Sequence, residues 1–216
     1  MSDTPRLIDL TFDALTERMA SSDPVPGGGS AAALAGAMGA ALVAMVAALT
    51  SGRPEYAEHE AAVTAMRTDA LGHRKLLLEL AVEDATAYES VVRARHMPRD
   101  SEADREVRTS ALRGAMVDAA RVPLRTAAVA AEVLELAERI APIGNRNAVS
   151  DAGVAAQLAA AALRGALLNV RINLPYLAAD EPLRLSAPGE ISRLEAVAAQ
   201  REAAALRAVD ARLVPA

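Results

Sequence analysis

From Ser30 to Thr50 the chain runs for 21 residues without a charge, and most of them are alanine or glycine. Alanine is the best helix former, so the stretch reads as one helix. Its large residues, Leu34, Met38, Leu42, Met45, Val46 and Leu49, recur at helical spacing in one stripe. At about 1.5 Å per residue such a helix roughly crosses a bilayer core, so length permits a membrane span. Composition favours a buried core helix instead: small residues fill the rest of the segment, and no positive cluster flanks it, only Arg53. Gly36, Gly39 and the alanines allow close backbone approach, and the small-residue face suggests packing by a neighbouring helix, including one from a second subunit.

The rest of the chain extends the same bias. Alanine makes up about a quarter of the 216 residues, while aromatics are 2%, with no Trp and Phe12 as the one Phe. Strand-forming residues are thin, so an all-α protein is expected. Hydrophobic residues reach 52%, which excludes disorder, and the length suits a single domain over residues 1–216. The balance of 23 basic to 28 acidic residues gives net −5. A nucleic-acid binder would carry a basic surplus and stacking aromatics, and this chain carries neither. The absence of cysteine excludes disulfides, thiolate metal sites and a Cys nucleophile. The opening, Met1 to Ser21, is amphipathic rather than a secretory signal, so the cytoplasm is the expected location.

Six to seven mostly antiparallel helices are expected. The first covers about Leu7 to Ala20. Pro24, Pro26 and the run Gly27-Gly28-Gly29 form a non-helical linker, after which Ser30 starts the neutral helix. Pro54 fits the first turn of a third helix, from about Glu55 to Arg95, irregular near Gly72. Ser101 or a neighbour caps a fourth, which Pro123 kinks or splits before a segment from Leu124 to Ile140. Pro142 to Asn145 makes a loop, Ser150 caps a helix to about Asn173, and a last amphipathic helix spans about Glu190 to Leu213.

Asp84 is the first chemical anomaly. Leu76, Leu77, Leu80 and Ala81 precede it, and Ala87, Tyr88, Val91 and Val92 follow, at offsets that share one helix face. A carboxylate on a core-facing stripe is costly unless paired, and burial raises its pKa toward neutral proton exchange. The alternative is a buried Asp held by an Arg or a backbone group. Asn169 and Asn173, four apart on an otherwise apolar face, need partners: either interhelical hydrogen bonds or a planar polar ligand. Asp151 suits a helix N-terminus. Gly27-Gly28-Gly29-Ser30 leads into another N-terminus, where free N–H groups suit an anion and glycine lets a ligand approach. No Walker A or dinucleotide pattern follows. His59, His73 and His96 lack the spacing of a di-iron bundle, and Asp69–His73 or Glu55–His59 are expected to interact as pairs, so no metal is expected.

Together these segments resemble the cyclodeaminase/cyclohydrolase family, which comprises the C-terminal half of formiminotransferase-cyclodeaminase and stand-alone methenyltetrahydrofolate cyclohydrolases. The resemblance rests on Pro24 to Ala37 with Leu42, Met45, Val46 and Leu49-Thr50, on Asp84-Ala85-Thr86-Ala87-Tyr88, and on Met97-Pro98. It extends to Ala120 to Leu124, Gly144 to Val154 and Asn169 to Leu174. It implies an all-helical subunit that dimerises, with a tetrahydrofolate derivative bound near the interface as substrate and no further cofactor. It implies ring closure of 5-formiminotetrahydrofolate with loss of ammonia, or interconversion of 5,10-methenyl- and 10-formyltetrahydrofolate. Asp84 becomes the expected acid/base, with Gly27, Gly28, Gly29, Ser30, Asp151, Asn169 and Asn173 expected around the substrate. Arg74 and Lys75 are candidates for its glutamate tail. No formiminotransferase half is present, so channelling within one chain is not expected. A non-catalytic folate binder or helical scaffold is the alternative.

Overall fold

Six α-helices organise residues 6–213, the part described by this computed structural model. They are α1 (Phe12–Ala20), α2 (Gly28–Thr50), α3 (Glu60–Arg95), α4 (Glu102–Ile140), α5 (Val149–Asn173) and α6 (Pro182–Leu213). Short 3₁₀ turns occupy Leu7–Asp9, Pro54–His59, Arg146–Ala148 and Leu174–Tyr176. Residues 1–5, and with them Asp3 of the amphipathic opening, lie outside the described residues, as do 214–216. Neighbouring helices in the ring α2–α3–α4–α5 run antiparallel, and α6 lies across α4 and α5. The directions follow from side-chain bonds. Asn145 before α5 meets Thr50 at the end of α2, whereas Asn169 near the end of α5 meets Gly28 at the start of α2. On α3 and α4, His73 faces Glu132 and Glu83 faces Arg125.

Small side chains decide how closely α2 is held. A methyl on Gly36 would come within 3.1 Å of Leu77 and 3.3 Å of Ala162, and one on Gly39 within 3.0 Å of the Ala155 carbonyl. The glycine face therefore packs inside the subunit, against α3 and α5, and is not the dimer surface that spacing suggested. α2 and the Arg146–Tyr176 segment are both long and apolar enough to span a membrane, but much of each is buried inside the bundle. Among the residues α2 leaves exposed, the large ones are Met38, Met45 and Leu49, and Met38 borders a groove with exposed Phe12 of α1.

The loop before α5 fastens the far end of α2. Asn145 donates its Nδ2–H to the Leu49 carbonyl (2.8 Å) and its backbone N–H to Thr50 Oγ1 (2.7 Å), while its Oδ1 accepts from Asn147 N–H (2.9 Å). These bonds give partners to groups at the end of α2 and at the turn that leads into α5. Arg212 of α6 closes the same corner by donating to the Ala141 and Gly144 carbonyls, both at 2.7 Å. Gly144 is required there, because a methyl would sit 2.8 Å from Val46 Cγ1.

Several expected boundaries are corrected. Leu10 and Thr11 separate a 3₁₀ turn from α1, since Thr11 caps α1 through Ala14 N–H (3.2 Å). Pro54 opens a 3₁₀ turn and α3 begins only at Glu60, then passes Gly72 without interruption. Ser101 does cap α4, in a reciprocal box with Asp104. Pro123 does not split α4: its missing N–H leaves the Ala119 carbonyl free, and Asn173 Nδ2 fills that vacancy at 2.8 Å. Ser150 lies one residue inside α5 and is not its cap, because the 3₁₀ turn capped by Asn145 feeds the helix directly. The last helix starts at Pro182, a residue suited to a first turn, and continues through Pro188. Finally, Gly28 and Gly29 belong to α2 and not to the linker, for a reason that lies in the cleft.

Candidate active site

The start of α2, the middle of α3 and the end of α5 meet around a cleft of about 350 Å³. Pro24, Val25 and Gly27 to Gly29 form one wall, and Ala119 and Met116 of α4, with Ile172 and Tyr176, form others. Asp84, Tyr88, Val91 and Arg95 contribute from α3, at offsets of 0, 4, 7 and 11 that stack along one face.

Asp84 is half-buried and points at the N-terminus of α2. Ser30, fully buried as the third residue of that helix, places its hydroxyl 2.9 Å from Asp84 Oδ2 and 3.0 Å from the Ala81 carbonyl. Its backbone N–H also reaches the carboxylate. Gly27, the N-cap, has no side chain to cap the helix, so Asp84 supplies an anion from α3 to the free N–H groups. The glycines make this possible: a methyl on Gly29 would stand 2.6 Å from Asp84 Cγ and overlap its oxygens, and one on Gly28 would reach Asn169 Nδ2 at 3.5 Å. Glycine is a poor helix residue by propensity, but any Cβ at position 29 would collide with the Asp84 carboxyl where it now stands.

Burial raises the Asp84 carboxyl above its ordinary value, and the hydrogen bonds from the Ser30 hydroxyl and N–H pull against that rise without cancelling it. The Ser30 hydroxyl has one proton and two acceptors in reach. With Asp84 ionised, it donates to the carboxylate. With Asp84 protonated, the carboxyl donates to Ser30 Oγ, which then donates to the Ala81 carbonyl. Both protonation states are satisfied by one rotation of a hydroxyl, which suits a group that exchanges a proton.

The two asparagines present acceptors. Asn173 Nδ2 donates to the Ala119 and Asn169 carbonyls, at 2.8 and 2.9 Å, which uses both of its N–H groups. Asn169 Nδ2 donates one to the Gly165 carbonyl at 2.9 Å. Because every one of these partners is a carbonyl, the amide orientations are fixed, and Asn173 has only its Oδ1 left to offer a ligand. The interhelical alternative is found in Asn173, whose nitrogen bonds across to α4 while its oxygen stays open to the cleft.

Asp151 is not in this cleft. It lies in the first turn of α5, 18 residues before Asn169 and so about 27 Å away along the helix. There it complements the positive end of the helix dipole. Arg74 and Lys75 are also elsewhere: Lys75 lies 4.0 Å from Glu79, and Arg74 borders a groove with Phe12 and Met38. Glu83, beside Asp84 in the chain, pairs with Arg125 of α4 at 2.6 Å. His73 faces Glu132 at 3.3 Å instead of Asp69, and His59 lies by Glu58 instead of Glu55. Among the described residues no three His, Asp or Glu side chains converge. Sequence reasoning overlooked Arg95, although its offset of 11 from Asp84 is three helical turns and marks the same face.

With this geometry, the likeness to known proteins can be placed. The family model described as Formiminotransferase-cyclodeaminase matches residues 11–191. The methenyltetrahydrofolate cyclohydrolase of Methylorubrum extorquens is 42% identical over 163 residues, covering 76% of this chain and 78% of that protein. The formimidoyltransferase-cyclodeaminase of Sus scrofa is 32% identical over 206 residues, which is 95% of this chain but 38% of that longer protein. The crystal structure of formiminotetrahydrofolate cyclodeaminase from Thermotoga maritima superposes with a TM-score of 0.85 at 28% identity, covering 96% of this chain and 100% of that one. The match to the family over most of its length, and to a relative at this level of identity, places this chain in the formiminotransferase-cyclodeaminase family.

Proposed function

We propose that the protein is a folate one-carbon enzyme acting on the carbon that bridges N5 and N10, with methenyltetrahydrofolate cyclohydrolase as its first activity. One observation carries the chemistry: Asp84 is the carboxylate in the cleft, half-buried, raised in pKa and served by a hydroxyl relay. The 42% identity to a named cyclohydrolase favours that reaction. Asp84 takes a proton from water as it attacks the methenyl carbon and passes it to N5 as the carbon–N5 bond breaks, while the hydroxyl of the adduct becomes the formyl C=O on N10 and its proton is released to solvent. The same carboxylate balances the cationic bridge before attack. Asn169 and Asn173 accept from pterin N–H groups, and Gly27 to Ser30 bring α2 backbone against the substrate. The folate is itself the substrate, and the reaction calls for no other cofactor.

Ring closure of 5-formiminotetrahydrofolate is the second reading, favoured by the near-complete superposition on a protein of that activity. There a protonated Asp84 donates to the departing nitrogen as N10 attacks. Loss of the near-ultraviolet methenyl band from supplied 5,10-methenyltetrahydrofolate identifies the first reaction, and its appearance with ammonia identifies the second. Neither signal above the uncatalysed rate would reject both and leave the scaffold reading. The pH dependence has opposite signs. Hydrolysis needs ionised Asp84, so its kcat/KM rises with pH through the raised pKa, whereas ring closure needs the protonated form and falls.

The proposal includes a cytoplasmic homodimer without nucleic-acid or membrane partners. The exposed row Met38, Met45 and Leu49 on α2 is the apolar surface such a dimer would cover. Sedimentation equilibrium is expected to return twice the 22.4 kDa chain mass, and Met45→Glu to shift it toward one. A monomer at micromolar concentration would remove this part of the proposal.

A further inference from the structure

Asp84 and Arg95 are the two charged residues that line the cleft, and both come from one face of α3. Eleven residues on α3 separate them, about 16 Å along the axis and three turns on the same face. Helical side chains lean toward the N-terminus, so Arg95 leans back over Val91 toward Asp84. Between the charges the cleft is apolar and aromatic, with Tyr88, Val91, Met116 and Ile172. Arg95 has no ion-pair partner among the described residues, while Arg93 on the same helix lies 3.7 Å from Glu89 and Arg125 across the ring pairs with Glu83.

We propose that Arg95 is the anchor for the glutamate tail of the substrate and sets its specificity for glutamylated folates. The inference rests on the folate reading above and deepens it. A methenyl folate carries a positive bridge at one end, an uncharged benzoyl ring in the middle and carboxylates at the other end. The cleft repeats that order with the signs reversed: carboxylate, apolar walls, guanidinium. Arg presents a planar fork that binds a carboxylate through two parallel N–H bonds. Its exposure leaves room for further glutamates to run into solvent, so longer γ-linked tails are accommodated. The neighbouring groove past Tyr88 is a poorer site. Its Arg18 and Arg93 are offset by Asp23 and Glu89, so its lining is neutral.

Titration calorimetry with the stable ligand 5-formyltetrahydrofolate and its tail-less counterpart, 5-formyltetrahydropteroate, tests this. The wild-type protein is expected to prefer the glutamylated ligand by roughly ten-fold or more, the range of a charge-assisted pair. Arg95→Ala should abolish that preference and leave the tail-less dissociation constant unchanged, Arg95→Lys should restore part of it, and Arg18→Ala should leave it intact. In turnover, Arg95→Ala should raise KM without lowering kcat. Equal weakening of both ligands by Arg95→Ala, or a preference that survives it, overturns the assignment. If the wild-type protein binds both ligands equally, the folate reading stands and the tail anchor falls. If it binds neither, the folate reading falls and takes this one with it.

Discussion

Replacing Asp84 with asparagine is expected to lower kcat by about 10²–10⁴-fold while the protein remains folded. Asparagine keeps the size of the side chain and can still accept from Ser30, but it cannot carry the proton. The change in stability has a definite sign. A carboxyl with a raised folded-state pKa holds its proton more tightly folded than unfolded. Below the ordinary aspartate value, about 3.9, both states are protonated and the position contributes no pH dependence. As pH rises through that value and then through the raised one, the unfolded chain ionises first and the wild type loses stability. Asp84→Asn does not titrate. Its Tm relative to wild type should therefore climb between acid and neutral pH, which thermal melts at pH 3, 5 and 7 would read. A variant that keeps more than a tenth of wild-type turnover would sink the assignment of Asp84 as acid/base.

Gly29→Ala is expected to be nearly as damaging to turnover, about 100-fold or more, for a different reason. The added methyl overlaps the Asp84 carboxyl, a short side chain that can rotate away. Folding therefore survives, helped by the better helix propensity of alanine, while the carboxylate leaves Ser30 and the reacting carbon. Gly28→Ala makes only ordinary contact with Asn169 and should do much less. The double variant Gly29→Ala/Asp84→Asn is expected to be no slower than Asp84→Asn, because both changes remove the same group from action. Multiplying losses in the double variant would mean that Gly29 acts on something other than Asp84.

The sequence made some of this legible and hid the rest for physical reasons. Helix type and order followed from alanine and periodicity, and Asp84 stood out because a carboxylate interrupts an apolar stripe. Helix starts were harder to read. Propensity places Gly28 and Gly29 outside a helix, and only the facing carboxylate and Asn169 show why they lie inside one. Pro123 signals a break until Asn173, 50 residues later, takes up the carbonyl that it frees. Asp151 has the right residue type and the wrong end of its helix. Arg95 lay on the Asp84 face all along, but an exposed arginine on an arginine-rich helix carries no local signal, and only the cleft distinguishes it from Arg93.

The bond between Asn173 and the Ala119 carbonyl has a wider meaning. A proline in α4, outside the cleft lining, frees the carbonyl that holds a side chain of α5 inside it. With no N–H at position 123, Asn173 is the donor that the Ala119 carbonyl receives, and with its other amide hydrogen on the Asn169 carbonyl it shows the cleft oxygen alone. A residue with an N–H at 123 would share the Ala119 carbonyl with Asn173 and weaken the amide's hold on its orientation. The orientation of a cleft acceptor is thus tied to the backbone of a neighbouring helix, and a change at position 123 would reach the cleft with every lining residue unchanged.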